Sequence, residues 1–215
     1  MTRRGDATRE RILDAAELLY GARGVAGVSM REVRLAAGQR NSSAVALHFG
    51  DADGLLLALA RRHMPRVGAI QERIHGELGL GDGPADPALL VEVLVRPWAE
   101  YLGDGPGARA WVRIAAELTA RPERRWRDFH EHAPVLMLHV ALDLLEVLEP
   151  TLGPGLARER LLEVSLAALH LCADRAAHAD APGPASRPAL DHAAWTDDLA
   201  DLAAGALFAP SRARR

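Results

Sequence analysis

Helix-forming residues run almost without interruption through this chain, and no other feature limits its fold as strongly. Ala, Leu, Arg and Glu dominate the long segments, and these are strong helix formers. No alternating run of β-branched and aromatic residues is long enough to imply a strand. Gly and Pro gather at residues 79–87, 103–107, 150–155 and 180–188, where they punctuate the helices. No internal repeat is evident. The expectation is an all-α protein.

The 215 residues suit one compact domain, or a small domain fused to a mid-sized one. An apolar share of 49% excludes a disordered chain. No apolar run approaches the roughly 20 residues of a membrane span, so no membrane contact is expected. The arginines near the start are followed by polar residues, unlike a secretory signal. The lone cysteine, Cys172, excludes an internal disulfide and fits a reducing cytoplasm. All 26 basic residues are arginine, so any long cation meeting a phosphate must be arginine. Residues 1–50 carry eight arginines against five acids, whereas residues 51–215 carry 18 against 24. A basic head on an acidic body suggests that the head meets something anionic.

Within that head, Ile12, Leu13, Ala16, Leu19 and Tyr20 form one apolar helical face, predicting a helix from Asp6 to about Arg23 that stops at Gly24. Ser29-Met30-Arg31-Glu32 has the pattern of a capping box and starts a second helix. Gly38 can turn the chain in the left-handed region. Asn41 or Ser42 can cap a third short helix that ends near His48-Phe49-Gly50. A short helix, a glycine turn and a short polar-faced helix make the layout of a helix-turn-helix, with Val33, Ala37 and Val45 closing the core beneath. Arg40, Asn41, Ser42 and Ser43 are groups able to reach phosphates and base edges. The same spacing also fits an ordinary pair of helices within a larger core.

The first sixty residues resemble the TetR family of transcriptional regulators. The matching text is Arg11-Ile-Leu-Asp-Ala-Ala-Glu-Leu-Leu-Tyr20 with Gly24, Ser29-Met-Arg-Glu-Val33, Ala37-Gly-Gln-Arg-Asn-Ser-Ser-Ala44, His48-Phe-Gly50 and Gly54-Leu-Leu56. The resemblance implies a homodimer of two-domain helical subunits. Residues 1–50 would form a helix-turn-helix domain that binds double-stranded operator DNA. Residues 51–215 would dimerise and hold an unknown small-molecule effector. Carried over by position, Ser29, Arg31, Arg40, Asn41, Ser42, Ser43, Ala44 and His48 would face DNA. Arg3, Arg4 and Arg9 could form a loose arm reaching further phosphates. Two heads would read half-sites about 34 Å apart or a multiple of that.

The chain departs from the family pattern at several places. Ala46 and Leu47 stand where members often carry a backbone-contacting tyrosine, and Ala52 where they often carry lysine. Arg34 occupies a place often held by a buried alanine, and Gln39 replaces a common valine. Lost phosphate contacts lower affinity and flatten its salt dependence, leaving Arg31, Arg34 and Arg40 to compensate. These departures motivate a second reading: a small-molecule-binding helical dimer with weak or lost DNA binding.

In the body, Pro65 is expected to kink or break the helix that begins near Asp51. Trp98, Tyr101, Trp111, Trp126, His130 and Met137 are the large side chains suited to a small-molecule cavity, with Glu117 among the polar candidates for orienting a ligand. Packing of an ordinary core is the alternative. A helix over about 156–178 is apolar on two faces, and such a helix needs two partners. Leu162, Leu166, Leu169 and Ala173, with Trp195, Leu199 and Leu202 of the last helix, are the candidates for a four-helix contact between subunits. Residues 180–188 read as a loop. His170, Asp174 and His178 share a helical face, and His130 and His132 flank Glu131, but no Cys/His quartet with metal spacing exists and no metal is expected. No phosphate loop, nucleophile elbow or other catalytic constellation appears, so neither enzyme activity nor a cofactor is implied. The expected function is a ligand-responsive regulator, a repressor in the simplest case.

Overall fold

A computed structural model describes residues 3–41, 43–81, 85–120, 133–181 and 190–212, with residues 3 and 4 described by backbone alone. Among them are nine α-helices, one 3-10 turn and no strand. The helices are α1 (Arg3–Arg23), α2 (Met30–Ala36), α3 (Ala44–Phe49), α4 (Ala52–Glu77), α5 (Pro87–Tyr101), α6 (Pro106–Thr119), α7 (Val135–Leu152), α8 (Pro154–Asp180) and α9 (His192–Leu207). No described helix is long and apolar enough to cross a membrane.

The local signals explain the helix limits. Ser29 caps α2 reciprocally with Glu32: its hydroxyl receives the Glu32 N–H, and the Glu32 carboxylate receives the Ser29 N–H at 2.8 Å. Arg23 adds an ion pair to Glu32 at 2.8 Å. The hydrogen bonds from the Ser29 backbone and hydroxyl, then Arg23, hold the Glu32 carboxyl at about 2. Gly38, at φ 68°, ends α2 in a Schellman turn: its own N–H reaches the Leu35 carbonyl, and the Gln39 N–H reaches that of Arg34. Asp51 caps α4, whose 26 residues run unbroken through Pro65. The expected break is absent; a proline forfeits one helical hydrogen bond, and the buried Leu55, Leu59, Val67 and Ile70 on either side hold the helix in register. α1 starts three residues before the expected Asp6, so the backbone from Arg3 onward is helical.

One continuous apolar cluster runs from Ile12 and Val33 in the head to Trp111, Leu144 and Leu207 in the body. The head is therefore seated on the body, chiefly through α1 against α6 and α4. At the crossing of α1 and α6, a Cβ on Gly21 would lie 2.5 Å from the Ala110 Cβ, so only glycine permits this approach. Cys172 is fully buried in this core, and that burial pushes its thiol up to about 12. It is packing, with no free thiolate to react.

Candidate nucleic-acid interface and ligand cavity

α2, the Gly38 turn and α3 form a compact bihelical head. Val33, Ala37, Ala44 and Val45 are buried beneath it. Ser29, Arg31, Arg40, Asn41 and Ser43 are exposed, and His48 is half-buried. Ser43, Ala46, Leu47 and Gly50 share one helical face and are all exposed. Ala44 departs from its expected place on the reading face: at the first turn of α3 its side chain is buried, only 6% exposed, so it offers little surface to a base edge. Ser42 lies outside the described residues. The Asn41 carboxamide oxygen receives the Ser43 N–H at 3.0 Å and shapes the chain just ahead of α3, while Ser43 occupies the cap position without a side-chain bond. The cap was expected at Asn41 or Ser42.

Two arginines expected to meet phosphate are engaged within the protein. Arg34 donates to the carbonyls of Gln39 at 2.5 Å and Arg40 at 3.3 Å, bracing the turn between the helices. Arg9 lies over the Phe49 ring, 5.3 Å from its centroid, and pairs with Glu10. The side chains of Arg3 and Arg4 lie outside the described residues.

The head joins the body through a partly buried polar network that the sequence reading missed. Glu10, Asp14 and Glu17 recur at i, i+4 and i+7 along α1, and that acidic stripe was the available signal. Arg62 of α4 pairs with all three, at 2.6, 2.8 and 3.2 Å. His63 Nε2 lies 2.7 Å from Glu17, its Nδ1 lies 2.6 Å from the Tyr101 hydroxyl, and its ring stacks on Trp111 at 5.3 Å. Burial pushes the Tyr101 phenol up, so it stays protonated and able to donate. Tyr101 and Trp111 thus belong to this junction and do not line the cavity. Glu117 also leaves the cavity set: from α6 it accepts the backbone N–H groups of Val25 at 2.6 Å and Ala26 at 3.4 Å, holding the link between α1 and α2.

An apolar cavity of about 630 Å³ lies between α5, α7 and α8. Of the expected lining residues, Trp98 and Met137 face it, joined by Leu94, Val95, Ala141, Leu145, Leu161 and Ala168. Trp126 and His130 lie outside the described residues. Thr119 and Ser165 also line it; their hydroxyl protons go to the carbonyls of Ala116 and Leu161, which leaves oxygen lone pairs to accept from a ligand. Exposed Leu142 and Arg158 stand at the rim.

The residues expected at a subunit contact divide. Leu162, Leu166 and Leu169 line the cavity, and Leu169 and Leu199 are buried in the protein's own core. Ala173 is half-buried, and Trp195 is half-buried beneath the Arg175 guanidinium at 5.1 Å. Leu202 is 58% exposed. The outward apolar positions on the last two helices include Leu171 as well, which the sequence pattern did not single out. The two-faced pattern of α8 is thus largely explained by the core on one side and the cavity on the other. Among the described residues, no three His, Cys, Asp or Glu side chains are grouped to hold a metal. His170 and His178 instead lie at hydrogen-bond distance from backbone carbonyls of α8.

No family model and no curated protein matches the sequence. Solved structures match the fold along nearly its whole length. A fatty acid degradation regulator, FadR, from Bacillus halodurans is 15% identical with a TM-score of 0.55, covering 94% of this chain and 96% of its own. A regulatory protein in the tetR family from Rhodococcus RHA1 is 18% identical with a TM-score of 0.51, covering 94% and 98%. The multidrug binding protein EbrR, solved with malachite green, is 21% identical with a TM-score of 0.50, covering 90% and 96%. The chain has the all-α fold of TetR-family regulators.

Proposed function

We propose that the protein is a ligand-responsive transcriptional regulator of the TetR type, binding operator DNA as a homodimer and releasing it when a small molecule enters the body. The observation that carries this reading is the head itself. Its exposed side presents Arg31, Arg40, Asn41 and Ser43, and no carboxylate occurs in sequence between Glu32 and Asp51. Such a face suits phosphates and base edges. The cavity suits an apolar effector with a donor group, met by Thr119 or Ser165. The contact between subunits is assigned to the outward sides of α8 and α9, at Leu171 and Leu202.

In this reading α6 is the route between the two proposed sites. Thr119 at the cavity and Glu117 on the head link sit two residues apart on α6. A ligand favouring one placement of α6 would therefore bias the head, as coupling between sites requires. The test is selection of randomised duplex DNA by the purified protein, followed by sedimentation with and without Leu202→Glu. Recovery of a two-fold symmetric sequence bound by a dimer, and weaker binding by the variant, is the expected result. Failure to enrich any sequence at low salt would leave the alternative of a ligand-binding helical protein without operator binding.

A further inference from the structure

We propose that Leu47 reads thymine methyl groups in the major groove and thereby sets the sequence preference of the reader helix. The inference rests on the DNA-binding reading above. Leu47 is 79% exposed, more than any other exposed large apolar side chain among the described residues. It takes no part in the core cluster, whereas Val45 belongs to it and Phe49 packs against it. At that exposure Leu47 buries little of its side chain in the fold. Its face of α3, with Ser43, Ala46 and Gly50, carries no charge and no bulk that would keep a base edge away.

The surroundings decide the occupant. Arg31 and Arg40 are exposed on the same head, and the chain from Leu35 to Gly50 has arginine and histidine but no acid. That balance favours a polyanion over a second acidic body or an apolar peptide. Within the major groove, the thymine C5 methyl is the one apolar group on the base edges. A branched leucine side chain packs against it, while Arg40, Asn41 and Ser43 remain for polar edges and phosphates. Leu47 therefore favours thymine where it lands, and cytosine, which lacks the methyl, is disfavoured.

The test uses the full chain and the duplex it selects. Each thymine is replaced in turn by deoxyuridine, which removes only the methyl and leaves pairing intact. Binding is measured for the wild type and for Leu47→Ala, with circular dichroism confirming an unchanged helix content. Replacement at one or two thymines per half-site is expected to weaken wild-type binding about fourfold, the factor that burying one methyl group supplies. Leu47→Ala should bind thymine and uracil duplexes equally. Indifference of the wild type at every thymine overturns the proposal while leaving DNA binding intact. So does an equal loss in Leu47→Ala, because another residue would then read the methyl. Absence of any selected duplex overturns this proposal together with the DNA-binding reading.

Discussion

His63 Nε2 lies 2.7 Å from a Glu17 carboxylate oxygen, joining the first helix of the head to the long helix of the body. A carboxylate only accepts, so the His63 Nε2–H donates to it, while Nδ1 on the far side of the ring lies 2.6 Å from the Tyr101 hydroxyl. Burial pushes the Glu17 carboxyl up, but the hydrogen bonds and charges of His63 and Arg62 outweigh it and hold the group below its ordinary 4.5. Its contribution to stability is complete above that ordinary value and is lost as pH falls through the lower folded value. Glu17→Gln should cost about 2 kcal/mol at neutral pH. It should also remove part of the stability loss that the wild type shows in urea titrations below pH 4.5. An unchanged acid limb would show that Glu17 is not held in this way.

Gly21 makes a second prediction at the same junction. Gly21→Leu drives a side chain into Ala110 and should destabilise by about 1–3 kcal/mol. Ala22→Leu, one residue on and exposed, should stay within about 0.5 kcal/mol. Thermal unfolding of the two variants compares them directly.

Glu117 spans body and head, so its removal should act on communication as well as on stability. Glu117→Ala leaves the Val25 and Ala26 N–H groups without this acceptor and should cost about 1–2 kcal/mol. In the same variant, effector binding should release DNA less completely than in the wild type. Paired titrations of DNA with and without effector give the coupling free energy, which should fall toward zero.

The cavity can be checked without knowing its natural ligand. A neutral apolar dye should quench Trp98, which lines the cavity, and Trp98→Phe should abolish most of that quenching. Ala168→Trp places a large ring in the same space and should weaken dye binding at least tenfold, equivalent to about 1.4 kcal/mol. Equal dye affinity in Ala168→Trp would place the dye elsewhere.

Local chemistry made the head legible in sequence. The capping box at Ser29 and Glu32 and the turn at Gly38 are decided by neighbours within a few residues, and both form as expected. The extents of α8 and α9 were likewise readable from the breaks around them. What escaped was long-range. Glu117 and Tyr101 look like cavity residues until α6 is packed against the head and α5 against α4. An apolar stripe such as Leu162, Leu166 and Leu169 indicates burial but not its partner, and here it faces a cavity. Arg34 and Arg9 show the same limit for charge: a guanidinium near a reading face turned inward to carbonyls and to a ring.

The most direct test of the account is the salt dependence of DNA binding by the wild type and by Arg31→Ala/Arg40→Ala. Each phosphate contact contributes about 0.9 to the slope of log affinity against log salt. The account predicts a steep wild-type slope that falls by at least about 1 in the double variant, with weaker binding at every salt concentration. Equal slopes and equal affinities would contradict it, because the exposed side of the head would then not be the surface that meets DNA.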